Sequence, residues 1–401
     1  MIYDVIICGS GVAGSTAAYF LSKTGLKVLV IEKEKLPRYK TCGGGVVFRA
    51  AKLLPFDINT VTEKVFYETN IYDFCNNLHF VVERKQPIVF LTMRENLDYF
   101  ILQKAAVKGA EVIDRFSLDD ISISKKEVTI KAGKSVFKSK FLIAADGALS
   151  NIAKLVKFKT SELKVPALEY EIVLNDPEYF KTLSKSLRFD FGIIENGYCW
   201  IFPKKDHLSI GIAAMKKSNV PLKDYLEKYF EKLEIVERIN KVEKHGFVIP
   251  VKPCSEFSAN ERILFAGDAI GLADPITAEG ISNAIESGKA AAKSIMEGNL
   301  NPERVASNYE IKIDKITDEL KYARFLAWFV YTSPKIRSYV FKHYGGGISE
   351  LLTDVITSEK NYKQIVTNPL NYLKLFKPAY LFSRNLKIKT GSKERPLTSR
   401  V

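Results

Sequence analysis

The chain begins with a short apolar run at residues 5–8 that stops at Gly9, crosses an alanine-rich stretch, and returns to an apolar run inside KVLVIEK. Apolar runs of this length without alternation predict strands buried on both faces, and the segment between them predicts a helix. Residues 3–33 therefore predict one βαβ unit, close to the ~30 residues such a unit takes. A second helix is predicted over residues 94–110, RENLDYFILQKAAVKGA, closed by Gly109 and followed by the strand EVIDRF. VTIKAGKSVFKSKFLIAADG predicts a hairpin feeding a buried strand at 141–145, and residues 259–297 return to the same style with strand RILFAGDA and helix EGISNAIESGKAAAKSIMEG.

A different pattern fills the gaps. Segments such as ALEYEIVL, SLRFDFGII and HLSIGIAAM alternate with period two, which predicts antiparallel strands over residues 60–93 and 161–255. From about residue 300 the chain is helical and aromatic, broken at Pro334 and again at YGGG, residues 344–347. The fold class expected is α/β. A Rossmann-like domain is made of residues 1–59, 94–160 and 256–300, an antiparallel-sheet substrate domain of 60–93 and 161–255 is inserted in it, and 301–401 form a C-terminal helical segment with a basic tail, disordered from about Lys387.

Composition narrows the class. With 401 residues, 46% of them hydrophobic and 26% charged, the chain can bury more than one core. The five cysteines (Cys8, Cys42, Cys75, Cys199, Cys254) form no CxxC pair and the four histidines show no ligand spacing, which predicts a cytoplasmic, metal-free protein. The N-terminus has no basic region or cleavage site, against secretion. The apolar run FLAWFVY, residues 325–331, falls far short of the ~20 residues that span a bilayer. A net charge of +14 is shared among all segments, and no nucleic-acid module accompanies it. Basic residues among aromatics in NYLKLFKPAYLFSRNLKIK suit an anionic membrane surface, so a peripheral position on the inner face of the cell membrane is expected.

The candidate chemistry starts at Gly9, Gly11 and Gly14, a GxGxxG between the first strand and the first helix, with Ala13 inside it. The first glycine turns the chain, the second lets backbone approach a pyrophosphate, and the third packs helix on strand. Glu32, beside Lys33 at the end of the second strand, stands where an acid binds a ribose hydroxyl. Alone the motif is weak, and a structural turn is its plain alternative; its context makes it specific. Downstream, Gly267 and Asp268 end a strand, and a glycine-rich turn leads to a helix starting near Gly280 and Ile281. An acid there can accept from ribityl hydroxyls, and a helix N-terminus can favour negative charge on a reduced flavin. That second site selects FAD over a nicotinamide, against the plain reading of a helix cap after an ordinary strand.

At these residues the chain resembles the FAD-dependent oxidoreductases of the p-hydroxybenzoate hydroxylase type. Four segments carry the likeness: GxGxxG with Glu32, RENLD at 94–98, AADG at 144–147 and AGDA at 266–269. The resemblance implies that Arg94 contacts the flavin nucleotide and that Asp146 and Gly147 hold the pyrophosphate region. Two further segments, PRYKTCGGGV at 37–46 and GYCWIFPK at 197–204, resemble geranylgeranyl reductases, whose Y-x-W-x-F-P signature is met by Tyr198, Trp200, Phe202 and Pro203. Period two puts the three aromatics on one strand face, a candidate substrate wall whose plain reading is a sheet's core face.

Within PRYKTCGGGV, backbone at Gly43, Gly44 and Gly45 can approach the isoalloxazine, and Arg38 or Lys40 can face phosphate or headgroup. Cys42 is then the candidate catalytic proton donor, since an ordinary thiol is protonated at neutral pH; its plain reading is a small buried hydrophobe. Ala278 stands where family members commonly carry glycine, which puts a flavin contact there in question. The function expected is saturation of geranylgeranyl C=C bonds on archaeal-type isoprenoid ether lipids, with Phe325, Trp328, Phe329 and Tyr331 as tunnel walls or mouth. NAD(P)H or a ferredoxin-like reductant is the expected electron donor. A flavin monooxygenase or halogenase, and a non-catalytic prenyl-lipid carrier, remain the alternatives.

Overall fold

The computed structural model describes residues 2–216 and 220–371, together with the backbone of 386–388. Its first sheet is built on the predicted βαβ unit. Strand Ile2–Cys8 lies parallel between Val28–Ile31 and Ser135–Ala144, with Glu111–Ile113 beyond the former and Ile263–Phe265 beyond the latter. Helices Val12–Ser22, Arg94–Val107 and Ile281–Glu297 belong to this part, and the first packs extensively on both others. Val5, Ile6, Ile7, Phe141, Leu142 and Ile143 are all fully buried, as parallel strands covered on both faces must be.

The second large sheet runs in the order Ile239–Pro250, Lys164–Leu174, Leu208–Ala214, Gly197–Pro203, Leu187–Phe191, Glu68–Asp73, Leu78–Glu83, with Leu386–Ile388 at its edge. Every described pairing in it is antiparallel except that of Leu187–Phe191 with Glu68–Asp73. Alternation sorts its faces: Tyr198 and Trp200 join a core with the C-terminal helices, whereas Cys199 and Ile201 join one with helix Leu222–Lys232.

Residues 60–93 do not act as one block. Val89–Thr92 pairs on one side with Gly45–Val47 and on the other with Thr62–Phe66 in a separate three-stranded sheet, and only the strands between Thr62–Phe66 and Val89–Thr92 enter the large sheet. The reason is the glycine segment: its exit strand Gly45–Val47 needs a hydrogen-bonding partner and takes Val89–Thr92.

The C-terminal part comprises helices Pro302–Tyr331, Pro334–Ile356 and Tyr362–Thr367. Pro334 starts a helix as expected, but the break expected at YGGG is absent; helix Pro334–Ile356 runs straight through Gly345, Gly346 and Gly347. A Cβ on Gly345 would overlap the Phe80 ring, so this glycine serves the close packing of helix on sheet rather than a turn. Most of the basic aromatic segment, and of the tail expected to be disordered, lies outside the described residues.

Candidate active site

The nucleotide end is assembled by the first turn. Gly9, at φ 99°, has Ala145 backbone where a side chain would stand, and a Cβ on Gly14 would overlap the Gly9 carbonyl. These two glycines therefore shape the turn without lining the cavity, whereas Gly11 and Ala13 do line it. Helix Val12–Ser22 has no side-chain cap, which leaves its first N–H groups free. Glu32 is buried, and its Oε2 accepts from Ser10 N at 2.9 Å and Ser10 Oγ at 2.7 Å, while Oε1 accepts from Glu34 N at 3.2 Å. Burial opposes its charge, but Arg38 and the Ser10 donors outweigh it and hold the carboxyl below its ordinary range.

Arg38 differs from the expected phosphate ligand. Its Nε sits 3.2 Å from Glu32 Oε2 and its Nη1 3.3 Å from Asp98 Oδ2, beneath Gly11. Two buried carboxylates claim the guanidinium, so it braces the turn. Lys33 points outward, 69% exposed and 3.8 Å from Glu34. Asp146 spends Oδ2 on the Ile152 N–H and does not line the cavity; Gly147, at φ 84°, does, with nothing near its Cβ position.

Opposite, Gly267, Asp268, Gly280 and Ile281 also line the cavity, where helix Ile281–Glu297 begins at Gly280 and Glu279 Oε1 accepts from Ser282 N at 2.7 Å. Two helix N-termini thus face one cleft, the first open and the second partly capped. Lys40 reaches across it to within 3.9 Å of Asp268 Oδ2. Ala278 sits at φ 57°, a left-handed conformation that favours glycine, in a turn tied down by Tyr198 Oη donating to Thr277 O and Tyr331 Oη donating to Ile276 O, both at 2.5 Å.

Between the two ends lie Cys42 and the aromatic wall. Tyr198, Trp200 and Phe202 line the cavity, while Pro203 only closes the strand. The Trp200 ring lies so close over Gly211 that any side chain there would overlap it. Cys42 lines the same space; Gly44 N donates to its Sγ at 3.5 Å, and the Arg94 guanidinium lies near it. Arg94 is buried and bidentate to Asp98 at 2.9 and 3.0 Å. The run Gly43–Gly45 proves to be demanded by protein as well as by any ring beside it. A Cβ on Gly43 would come within 2.7 Å of Phe202, and one on Gly44, at φ 66°, would overlap the Thr92 carbonyl.

Comparison with known proteins gives the family. The family described as FAD dependent oxidoreductase matches residues 4–62. Digeranylgeranylglycerophospholipid reductase 2 of Methanothermobacter thermautotrophicus is 30% identical over 340 residues, 78% of this chain and 83% of that protein. The chain belongs to the geranylgeranyl reductase family. A geranylgeranyl bacteriochlorophyll reductase-like protein of Thermoplasma acidophilum has the same fold, at TM-score 0.71 and 22% identity over 95% of this chain and 97% of that one. So does a flavin-dependent brominase, at TM-score 0.70 and 19% identity over 93% and 99%.

The cofactor is FAD, and the residues fit it. Gly11, Gly147 and the free end of helix Val12–Ser22 would take the pyrophosphate, and Asp268 with the end of helix Ile281–Glu297 the ribityl and the flavin edge; Glu32, which does not line the cavity, would hold the adenosine ribose at the end of its strand. The buried Trp200 Nε1, without a hydrogen-bond partner, adds a free donor at the cavity wall.

The sequence reading of this geranylgeranyl reductase missed Lys204 and Glu169. Lys204 is fully buried, and its Nζ donates to Gly43 O at 2.7 Å and Thr92 O at 2.8 Å. Glu169 lines the cavity; Ser209 Oγ donates to its Oε1 at 2.6 Å, and its Oε2 has no hydrogen-bond partner. Burial first and the Glu171 charge second push the Glu169 carboxyl up to about 7. A signal existed: Glu169 and Glu171 are two acids on one face of an otherwise apolar strand. The aromatics expected at the tunnel mouth divide. Tyr331 lines the cavity, but Phe325 and Trp328 are half exposed and do not, because the helical period turns Ala323, Ala327 and Val330 inward instead. Phe329 packs edge-on against both of them.

Proposed function

We propose that this chain saturates carbon–carbon double bonds of geranylgeranyl chains carried on isoprenoid lipids of the archaeal ether type. One observation carries the reading: a single, mostly apolar cavity of about 280 Å³ is lined together by the glycines Gly43–Gly45, by Cys42 and the aromatic wall, and by Ile348, Leu352 and Ile356 of helix Pro334–Ile356. A long apolar chain fits such a lining, and the lining keeps water from the reacting bond.

Reduced FAD supplies the hydride. Isolated alkenes accept hydride poorly, so the second carbon needs a proton early. Cys42 is the group placed to give it, lining the cavity beside the glycine segment. Trp200 and Phe202 present aromatic faces whose negative potential favours developing positive charge on the chain. No second GxGxxG is present, so the electron donor, NAD(P)H or a ferredoxin-like reductant, visits rather than stays. No helix among the described residues is long and apolar enough to cross a membrane. Half-exposed Phe325 and Trp328, on the same helix as Lys321, suit contact with an anionic membrane surface on its inner face.

The test is anaerobic incubation of dithionite-reduced protein with a geranylgeranyl glycerolipid. Two hydrogens added per bond, read by mass, would support the reading. Oxygen consumption with the alkenes intact would favour a monooxygenase or halogenase, and protein that stays colourless after FAD is added would favour a carrier.

A further inference from the structure

Each saturated bond consumes one proton inside a cavity that a polyprenyl chain fills. The thiolate left on Cys42 must regain a proton before the next bond is reduced, and the mouth is then blocked by substrate. The wall opposite the glycine segment offers another way in. Glu169 and Glu171 lie two residues apart on strand Lys164–Leu174, so their side chains share the face that carries the aromatic wall, about 7 Å apart along the backbone. Register confirms the shared face: Glu169 is opposite Gly211, which is opposite Trp200. The Cys42 amide lies close enough to the Glu169 carboxyl to favour its charged form.

Beyond Glu171 the groups lead outward. His207 Nε2 is 3.3 Å from Glu171 Oε2, an ion pair that misses hydrogen-bond alignment, and His207 Nδ1 is 2.7 Å from Asp206 Oδ1. The His207 side chain is 15% exposed and that of Asp206 83%, so the chain of groups ends in solvent.

We propose that Glu169, Glu171 and His207 form a proton path from solvent at Asp206 to the cavity beside Cys42. The proposal rests on the reductase reading for its use, though not for its geometry. Balance is complete: the Cys42 S–H breaks as a C–H bond forms, the hydride for the other carbon coming from reduced FAD. The Glu169 O–H then breaks as the S–H re-forms, and the carboxylate regains a proton from the His207 imidazolium through Glu171. Water at Asp206 recharges His207, and no residue of the chain changes oxidation state.

The groups facing Glu169 fit a store that both holds and releases a proton. Glu171 on its own strand repels its charge. Lys204, from the turn after the wall, favours it, and Ser209 donates to it. From the glycine segment come Cys42 and Tyr39, whose buried hydroxyl has no hydrogen-bond partner. From strand Ile239–Pro250, His245 stacks on Tyr39 with ring centroids 4.1 Å apart, and Glu243 adds negative charge near Tyr39. The Glu169 carboxyl is held at about 7, and the His207 imidazolium is raised above its ordinary value, because burial lowers it less than Glu171 and Asp206 raise it.

Two measurements test the path. In the FAD-loaded protein without lipid, Cys42 is alkylated with iodoacetamide across pH and read on its own peptide by mass. The wild type should show an inflection near pH 7 where Glu169 ionises, and Glu169→Gln should remove it and react faster above that pH. Absence of the inflection in wild type, or its persistence in Glu169→Gln, overturns the proposal, and this holds whether or not the lipid is the right substrate. With lipid, rapid quench of reduced His207→Gln should show the first bond saturated at the wild-type rate and later bonds slowed roughly tenfold, below the ~10²-fold typical of losing a general acid outright. Equal slowing of first and later bonds, or slowing of neither, overturns it. Failure of wild type to reduce the lipid at all counts against the functional reading, and the alkylation profile then decides the path.

Discussion

Lys204 Nζ lies 2.7 Å from the Gly43 carbonyl oxygen, a fully buried ammonium joining the end of the aromatic strand to the glycine segment 161 residues earlier in the chain. A second bond, 2.8 Å to Thr92 O, ties in the strand after which Arg94 begins its helix. One side chain thus fixes the spacing between the wall and the segment carrying Cys42. Its burial lowers the ammonium's pKa, against the pull of Glu171 and Glu169.

Lys204→Met should lose both bonds and leave two carbonyls unsatisfied. The expected cost is about 2 kcal/mol, set by the ~1–3 kcal/mol of an orphaned buried polar group. Urea denaturation would read it, and FAD fluorescence should show weaker retention; an unchanged midpoint with unchanged retention would remove Lys204 from this role.

Glu169 predicts a pH-dependent stability. Its carboxyl is raised from 4.5 to about 7, so the folded state prefers it protonated. That preference is fully present below about pH 4.5 and is lost as pH rises through about 7. Glu169→Gln, which cannot ionise, should therefore melt above wild type at pH 8, by on the order of 3 kcal/mol at ~1.4 kcal/mol per pKa unit. At pH 4.5 the gap should close. Parallel melting curves across that range would contradict the burial argument.

Cys42→Ser should keep bound FAD, because the cradle glycines and Asp268 remain, yet slow alkene saturation by about 10²-fold or more, as expected for loss of a general acid. The flavin absorbance and the lipid mass shift read the two effects separately. Unchanged turnover would return Cys42 to a packing role.

Ala278→Gly tests strain in the turn beside the cofactor cradle. Ala278 holds φ 57°, where a Cβ costs about 1–2 kcal/mol. Relief is partly offset by the ~0.4–1 kcal/mol of extra freedom glycine gives the unfolded chain. Thermal melting should rise by a few degrees or stay level; a clear fall would show that the methyl makes contacts worth more than the strain.

Much of the site was legible locally. Gly9, Gly11, Gly14 and Glu32 announce a nucleotide turn because strand, turn and helix are set by neighbours within one βαβ unit. The shared face of Tyr198, Trp200 and Phe202, and the exclusion of Cys199 from it, follow from period two alone. Local pattern failed where a residue's reason lies on a distant element. Gly345 reads as a helix breaker until Phe80 is found against it. Arg38 reads as a phosphate ligand until Glu32 and Asp98 are found on either side of it.

The sequence by itself determined the cofactor cradle, the family and the aromatic face, since each is written in short-range spacing that one turn or one strand enforces. Only the tertiary structure decided what surrounds Cys42. Strand order brings Glu169, Lys204 and Arg94 to it from segments far apart in the chain, and the burial that follows sets their charge. Hydrogen bonding and desolvation depend on who the neighbours are in space, and no local pattern carries that.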